Sequence, residues 1–264
     1  MRAFAARRPL GLVPTMGYLH EGHLSLIRRA REECATVVVS IFVNPLQFGP
    51  GEDFERYPRD PERDAALAKV AGADALFMPE VAALYPEGFA TEVRVRGVED
   101  ILEGTVRPGH FAGVATVLAK LLNIVVPERM YMGQKDAQQA VLVGRMIRDL
   151  NFPVRLVVCP TVREPDGLAM SSRNAYLDAE ERAAAAAISR ALFAARDTGS
   201  VDPDALEEAV REALVSEPLV VLEYVSANDA ATLGPVEPKT GEVLLSLAAH
   251  VGKTRLIDNV VIKR

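Results

Sequence analysis

Cysteine, lysine and histidine are all scarce in this chain, and it has no long apolar run. There are two cysteines, Cys34 and Cys159, far apart and outside any CxxC or Cys/His cluster. That spacing indicates neither a disulfide framework nor a zinc site, and it fits a reducing cytoplasm. Nothing approaches the roughly 20 apolar residues of a membrane span. The basic start, Met1 to Arg8, leads into no apolar stretch, so the chain is expected to be neither secreted nor membrane-embedded. Thirty Lys+Arg against 36 Asp+Glu give a net charge of −6. Such a balance repels a polyanionic duplex unless the positive charge is segregated, and no segregation is visible, so no nucleic-acid partner is expected. The lysines are only Lys69, Lys120, Lys135, Lys239, Lys253 and Lys263, and the histidines number four. Either residue inside a motif therefore stands out.

What is present is the material of a globular protein: 264 residues, 49% hydrophobic and 25% charged, enough for one large or two modest domains. Up to about residue 160, strand-length apolar runs alternate with segments of helical period, which yields a parallel sheet wrapped by helices. The pattern predicts strands at Leu10–Pro14, Thr36–Val43, Ala75–Met78, Arg129–Met132 and Val154–Cys159. It predicts helices at His23–Cys34, Pro61–Ala71, Val114–Val125 and Asp136–Leu150. Thr36–Val43, continuously apolar and β-branched, has the character of a central strand covered on both faces. Beyond residue 160 come two helical segments, Ala179–Arg196 and Pro203–Ser216, then strands at Leu219–Ser226, Glu242–Ala249 and Arg255–Ile262. The expected fold class is α/β: a Rossmann-like doubly wound parallel sheet over residues 1–161, with a smaller C-terminal α+β domain over 162–264.

In doubly wound sheets ligands sit outside the carboxyl ends of the strands, so chemistry is sought in the loops there. The first, Pro14-Thr-Met-Gly-Tyr-Leu-His20-Glu-Gly-His23, puts two histidines three residues apart on one face of a helical turn. Gly17 and Gly22 let backbone amides approach an anion, and imidazole donors beside a helix N-terminus suit nucleotide phosphates. A zincin helix needs His-Glu-x-x-His, which this is not. After the second strand, Asn44 and Gln47 offer uncharged donors and acceptors to a small polar substrate, although an Asn-Pro turn alone is only a turn. In Arg107-Pro-Gly-His110, the arginine is placed to grip phosphate or carboxylate in a bidentate way, with a surface ion pair as the plain alternative. Gly133-Gln-Lys135-Asp136-Ala-Gln-Gln139 sets a lysine at a helix start, where it can neutralise charge on a transferring phosphoryl group. Finally Met170-Ser171-Ser172-Arg173-Asn174 reads as a flexible phosphate clamp able to close over a leaving group.

The histidine turn and the serine-arginine loop together resemble the His-x-Gly-His and Lys-Met-Ser-Lys-Ser signatures of the nucleotidyltransferase superfamily. More narrowly, PTMGYLHEGH, FVNPLQFG, RPGHFAGV, GQKDAQQ and DGLAMSSRN resemble the pantothenate synthetase (pantoate–β-alanine ligase) family, in order from about Gly11 to Asn259. The resemblance implies an ATP-binding Rossmann-type domain, a smaller C-terminal domain covering the site, and a homodimer. It implies that Met16, Gly17, His20, Gly22 and His23 line ATP, with His23 the proton donor. Gly133, Lys135, Asp136, Val162, Met170, Ser171, Ser172 and Arg173 would also contact nucleotide. Gln47 and Gln139 would hold pantoate, with Asn44 and Arg107 as further substrate-side candidates. His20, His23, Lys135, Ser171, Ser172 and Arg173 would carry catalysis, with ATP as substrate and Mg2+ accompanying it. The implied reaction condenses pantoate with β-alanine through a pantoyl adenylate. The metal-side residues are left open, with Asp60 and Asp64 as candidates. The chain departs from the family in having Gln134 where glutamate is common and Ala137 where an aromatic is common. It also begins close to the histidine turn, which leaves the first sheet edge as a question for the structure.

Two other readings remain. A nucleotidylyltransferase of the same superfamily would keep the nucleotide in its product. A non-enzymatic RNA-binding relic would need a basic, aromatic-interleaved face that the acidic composition lacks.

Overall fold

The computed structural model describes residues 7–263. Residues 1–6, most of the basic start Met1 to Arg8, and residue 264 lie outside the described residues. The chain divides into two compact units, Met1–Gly133 with Gln138–Pro160, and Gln134–Ala137 with Thr161–Arg264. The expectation placed the whole Gly133–Gln139 motif in the first domain; in the structure its Gln134–Ala137 part groups with the C-terminal residues.

The first unit is a five-stranded sheet of β1 (Leu10–Thr15), β2 (Thr36–Ile41), β3 (Ala75–Phe77), β4 (Arg129–Gly133) and β5 (Arg155–Cys159), in the order β3-β2-β1-β4-β5. All of its pairings are parallel. β1 is therefore central, hydrogen-bonded to β2 on one side and β4 on the other. Thr36 through Ser40 of β2 are all buried, as the unbroken apolar run required. The crossovers run through α1 (Glu21–Glu33), α2 (Pro61–Ala71), then α3 (Val81–Leu84), α4 (Glu103–Val106) and α5 (His110–Val125), and finally α6 (Ala137–Asp149).

Local sequence sets several of these boundaries. Asp60 caps α2 by accepting from the Arg63 amide at 3.1 Å, with Pro61 at the first helical position, where no amide is wanted. The run of valine, leucine and alanine in α5 is buried on almost every side, and the helix starts at His110, four residues before the predicted Val114. The start was missed because Pro108-Gly109 and Gly113 read as loop. Gly109 is instead the N-cap at positive φ, and Gly113 lies inside the helix because a Cβ there would fall 2.2 Å from the Leu46 carbonyl oxygen.

The second unit has α7 (Ala179–Asp197) and α8 (Pro203–Leu214) followed by β6 (Val220–Asp229), β7 (Glu242–Val251) and β8 (Thr254–Lys263), an antiparallel sheet in the order β6-β7-β8. Asp178 and Glu181 form a reciprocal capping box at the start of α7. Alternate residues of β7, Val243, Leu245, Leu247, Ala249 and Val251, join Ile188, Leu192, Leu206 and Val210 in one apolar core. Among the described residues no helix is long and apolar enough to cross a membrane.

Candidate active site

At the carboxyl end of β1 the chain makes a tight turn into α1. Gly17 (φ +88°) and Tyr18 (φ +50°) are both left-handed, and a Cβ on Gly17 would meet Ile41 at 2.9 Å and the Asp64 carboxylate at 3.0 Å. Asp64 is buried, and its two oxygens accept the amides of Tyr18 and Leu19, each at 2.7 Å. Asp60 is committed to the α2 cap. Both carboxylates that the sequence offers as metal-side candidates thus accept backbone amides. Replacing Asp64 by alanine strips a buried amide, that of Leu19, and the part-buried amide of Tyr18 of their acceptor, at about 1–3 kcal/mol for the buried one. We expect Asp64→Ala to lower the denaturant midpoint substantially and to loosen the histidine turn. An unchanged midpoint would show that the turn holds itself.

His20 is the N-cap of α1 and His23 the third residue of its first turn, with ring centroids 4.1 Å apart. The His20 backbone amide donates to His23 Nδ1 at 3.4 Å. In neutral His23 the proton then resides on Nε2, leaving that nitrogen as the donor. The turn therefore offers imidazole donors at the positive end of a thirteen-residue helix.

The loop after β2 places Gln47 beside this turn: its Nε2 donates to the Met16 sulfur at 3.0 Å. A residue expected to line nucleotide and one expected to hold pantoate are thus brought into contact. Asn44 is buried, and its carboxamide is committed within the protein. Nδ2 donates to Gln47 Oε1 and to the Gly113 carbonyl, both at 3.1 Å, while Oδ1 accepts from the Tyr85 hydroxyl at 2.8 Å and the Leu46 amide at 3.3 Å. These bonds hold Asn44, expected on the substrate side, against Gln47.

Arg107, the other substrate-side candidate, is likewise engaged within the protein. Its guanidinium does make the bidentate grip, but on the protein's own Glu52, at 2.7 and 2.6 Å. Burial pushes the Glu52 carboxyl up, but the hydrogen bonds and charge of Arg107 outweigh it and hold the carboxyl below its ordinary range. His110 uses both ring nitrogens, Nδ1 donating to the Gln47 carbonyl at 2.8 Å and Nε2 accepting from Arg107 at 3.2 Å. Burial, aided by the Arg107 charge, brings its pKa down to about 4. Folded, the ring stays neutral to that pH, whereas unfolded it takes a proton near 6.5. Between those values the unfolded state binds more protons, so stability rises with pH, and acidifying from 6.5 to 4 removes up to about 3 kcal/mol. His110→Gln lacks this term. The stability gap between wild type and variant should therefore narrow across that range, and a gap independent of pH would contradict the assignment.

In the second unit Lys135 lies in the 3-10 turn Gln134–Asp136, its ammonium 3.6 Å from Asp136. The serine loop is tied back on itself at several points. Met170 donates to the Val162 carbonyl at 3.0 Å, Arg163 pairs with Ala169, and Ser171 caps a further 3-10 turn, Ser172–Tyr176, by accepting from the Arg173 amide at 3.3 Å. Ser172 is buried, whereas Ser171 and Arg173 are partly exposed. Gly133 ends β4 opposite Cys159, and Gln139 lies half-buried in the first turn of α6.

The family model described as pantoate-beta-alanine ligase matches residues 1–261. The chain belongs to the pantoate–β-alanine ligase family. It is 55% identical to a pantothenate synthetase of Moorella thermoacetica over 257 residues, covering 96% of this chain and 91% of that one. A crystal structure of pantothenate synthetase from Thermus thermophilus superposes with a TM-score of 0.94 at 52% identity, covering 98% and 95% of the two chains. A pantoate-beta-alanine ligase from Francisella tularensis, complexed with β,γ-ATP and β-alanine, gives 0.81 at 34% identity, covering 98% and 92%. Within this ligase framework sequence reasoning missed the supporting residues Glu52 on Arg107 and Tyr85 on Asn44, and the supporting role of Asp64 under the histidine turn. Their partners lie 41 to 55 residues away in sequence, and no local spacing signals such contacts.

Proposed function

We propose that this protein condenses pantoate with β-alanine using ATP, through a pantoyl adenylate, releasing pyrophosphate and then AMP. The observation that carries the reading is the Gln47–Met16 contact beside the two histidines at the start of α1: it joins a carboxamide for a small polar acid to a helix end built for phosphates.

A carboxylate is a poor electrophile with a poor leaving group, and adenylation cures both defects. A pantoate carboxylate oxygen attacks the α-phosphorus of ATP, forming the acyl–phosphate bond as the bond to pyrophosphate breaks. The β-alanine amine then attacks the acyl carbon, AMP leaves, and the nitrogen loses a proton to give the amide. Gln47 and Gln139 orient pantoate. His20 and His23 donate to phosphate oxygens, and Lys135, Ser171, Ser172 and Arg173 offset the charge that builds on the phosphates as pyrophosphate departs. Met16, Gly17, Gly22, Gly133, Asp136, Val162 and Met170 line the nucleotide. The work is positioning and electrostatic stabilisation, with no covalent enzyme intermediate.

Magnesium enters as part of the ATP substrate. Among the described residues no group of three or more His, Cys, Asp or Glu side chains is placed to hold a metal ion. This fits an ion bound mainly by phosphate oxygens and water. We assign the protein to the cytoplasm and to a homodimer. The exposure of Val158 on β5, an edge strand of the five-stranded sheet, supports the latter, and sedimentation at the monomer mass would refute it. Product analysis tests the reaction: the ligase releases free AMP with the amide, whereas a nucleotidylyltransferase leaves the nucleotide in its product.

A further inference from the structure

The turn that carries Lys135 is gripped by a single side chain from the far end of the sequence. Asn259 on β8 is buried, and its Nδ2 donates to the Gln134 carbonyl at 3.0 Å and the Lys135 carbonyl at 2.9 Å, while its Oδ1 accepts from Gln134 Nε2 at 3.1 Å. Both amide hydrogens and the oxygen of one carboxamide are thus engaged by two consecutive residues. A 3-10 turn is short and its own hydrogen bonds have poor geometry, so an external donor pair of this kind fixes it in place.

Asn259 is itself anchored. Its amide donates to Asp258 Oδ1 at 2.7 Å, and its carbonyl accepts from Arg163 Nη2 at 3.3 Å. Asp258, also buried, takes Arg163 in a bidentate pair at 2.6 and 3.0 Å. Arg163 Nη1 further donates to the Gly167 carbonyl at 3.0 Å, and the guanidinium lies 4.8 Å from the Phe193 ring centroid. Arg163 sits between Val162 and the hairpin that returns to Met170, whose amide bonds back to Val162. The lysine turn and the serine-arginine loop, 35 residues apart in sequence from Lys135 to Met170, are therefore both tied to the Asp258-Asn259 pair.

We propose that Asn259, backed by Asp258 and Arg163, is a positioning residue for the adenylation step: it sets the Lys135 ammonium against the serine-arginine loop so that both act on one triphosphate. This rests on the reading above that Lys135 serves the phosphates. Pantoate is assigned to Gln47 and Gln139, outside this cluster, so its binding should be spared.

The test is a double-mutant cycle read by pantoate-dependent pyrophosphate release. In the wild-type background, Asn259→Ala should lower kcat by up to about 10²-fold, since misplacement by about 1 Å costs that much, with the KM for pantoate unchanged. In a Lys135→Ala background the same substitution should add little, because the group it positions is gone. Full multiplicative loss in both backgrounds, or a rise in pantoate KM with kcat intact, would overturn the proposal. Should Asn259→Ala not fold, Gln134→Ala removes only the bond to Asn259 Oδ1 and leaves both carbonyls capped. A lowered kcat that vanishes in the Lys135→Ala background supports the proposal, and a wild-type kcat overturns it. If Lys135→Ala alone is fully active, the assignment of Lys135 fails, which is a different outcome from an active Asn259→Ala beside an inactive Lys135→Ala.

Discussion

His23→Ala is expected to slow pyrophosphate formation from ATP and pantoate by about 10²–10³-fold, the usual loss on removing one preorganised donor to a developing negative charge. The side chain stands at the third position of α1 with Nδ1 accepting the His20 amide, so the variant loses the Nε2 donor and one weak capping interaction. The helix itself should survive, because its apolar face, Leu26, Ile27 and Ala30, stays packed in the core. Thermal melting should thus move by little while turnover falls steeply. His23→Gln can place an amide donor near the same point and should recover part of the rate. A fully active His23→Ala would remove the histidine turn from the chemistry.

Lys135→Ala should bring a loss of similar size, about 10²–10³-fold in kcat, for a different physical reason. The ammonium is a compact point charge on a flexible stem, only one-fifth exposed and 3.6 Å from Asp136. Its charge is felt by the carboxylates of Asp136 and the buried Asp258, and the partly buried ammonium remains placed to meet a further, stronger anion. Lys135→Arg retains the charge but spreads it over a planar fork, so it should recover the rate only in part. Because the turn's carbonyls are held by Asn259 rather than by the lysine side chain, Lys135→Ala should melt as the wild type does. Wild-type turnover would contradict the role assigned to this residue.

The architecture was legible because its signals are local. The β-branched run Thr36–Val43 reads as a doubly covered strand, which the structure forms over Thr36–Ile41, and Asp60-Pro61 fixed the start of α2 at the predicted residue. The histidine turn was legible for the same reason: two glycines and two histidines within seven residues specify a backbone as well as a chemistry. The intraprotein partners of Asn44 and Arg107 were not legible, because residue type reveals what a side chain can bind and not what has already bound it. A carboxamide and a guanidinium suited to a substrate are as well suited to Gln47 and Glu52. The hydroxyl-rich sequence of the serine loop carries no sign of its distant ties. The Arg163–Asp258 pair that orders it spans 95 residues, and the Asn259 grip on Lys135 spans 124. Contacts of that reach leave no periodicity to read.

The assay that bears most directly on the account incubates the protein with ATP, magnesium and pantoate, first without and then with β-alanine, and follows pyrophosphate and AMP separately. Carboxyl activation requires pantoate-dependent pyrophosphate before any amine is added, limited to about one equivalent per active site while the adenylate stays bound. Addition of β-alanine should then release AMP in step with the amide. Absence of pantoate-dependent pyrophosphate, or pyrophosphate followed by a product that keeps its nucleotide, would contradict it.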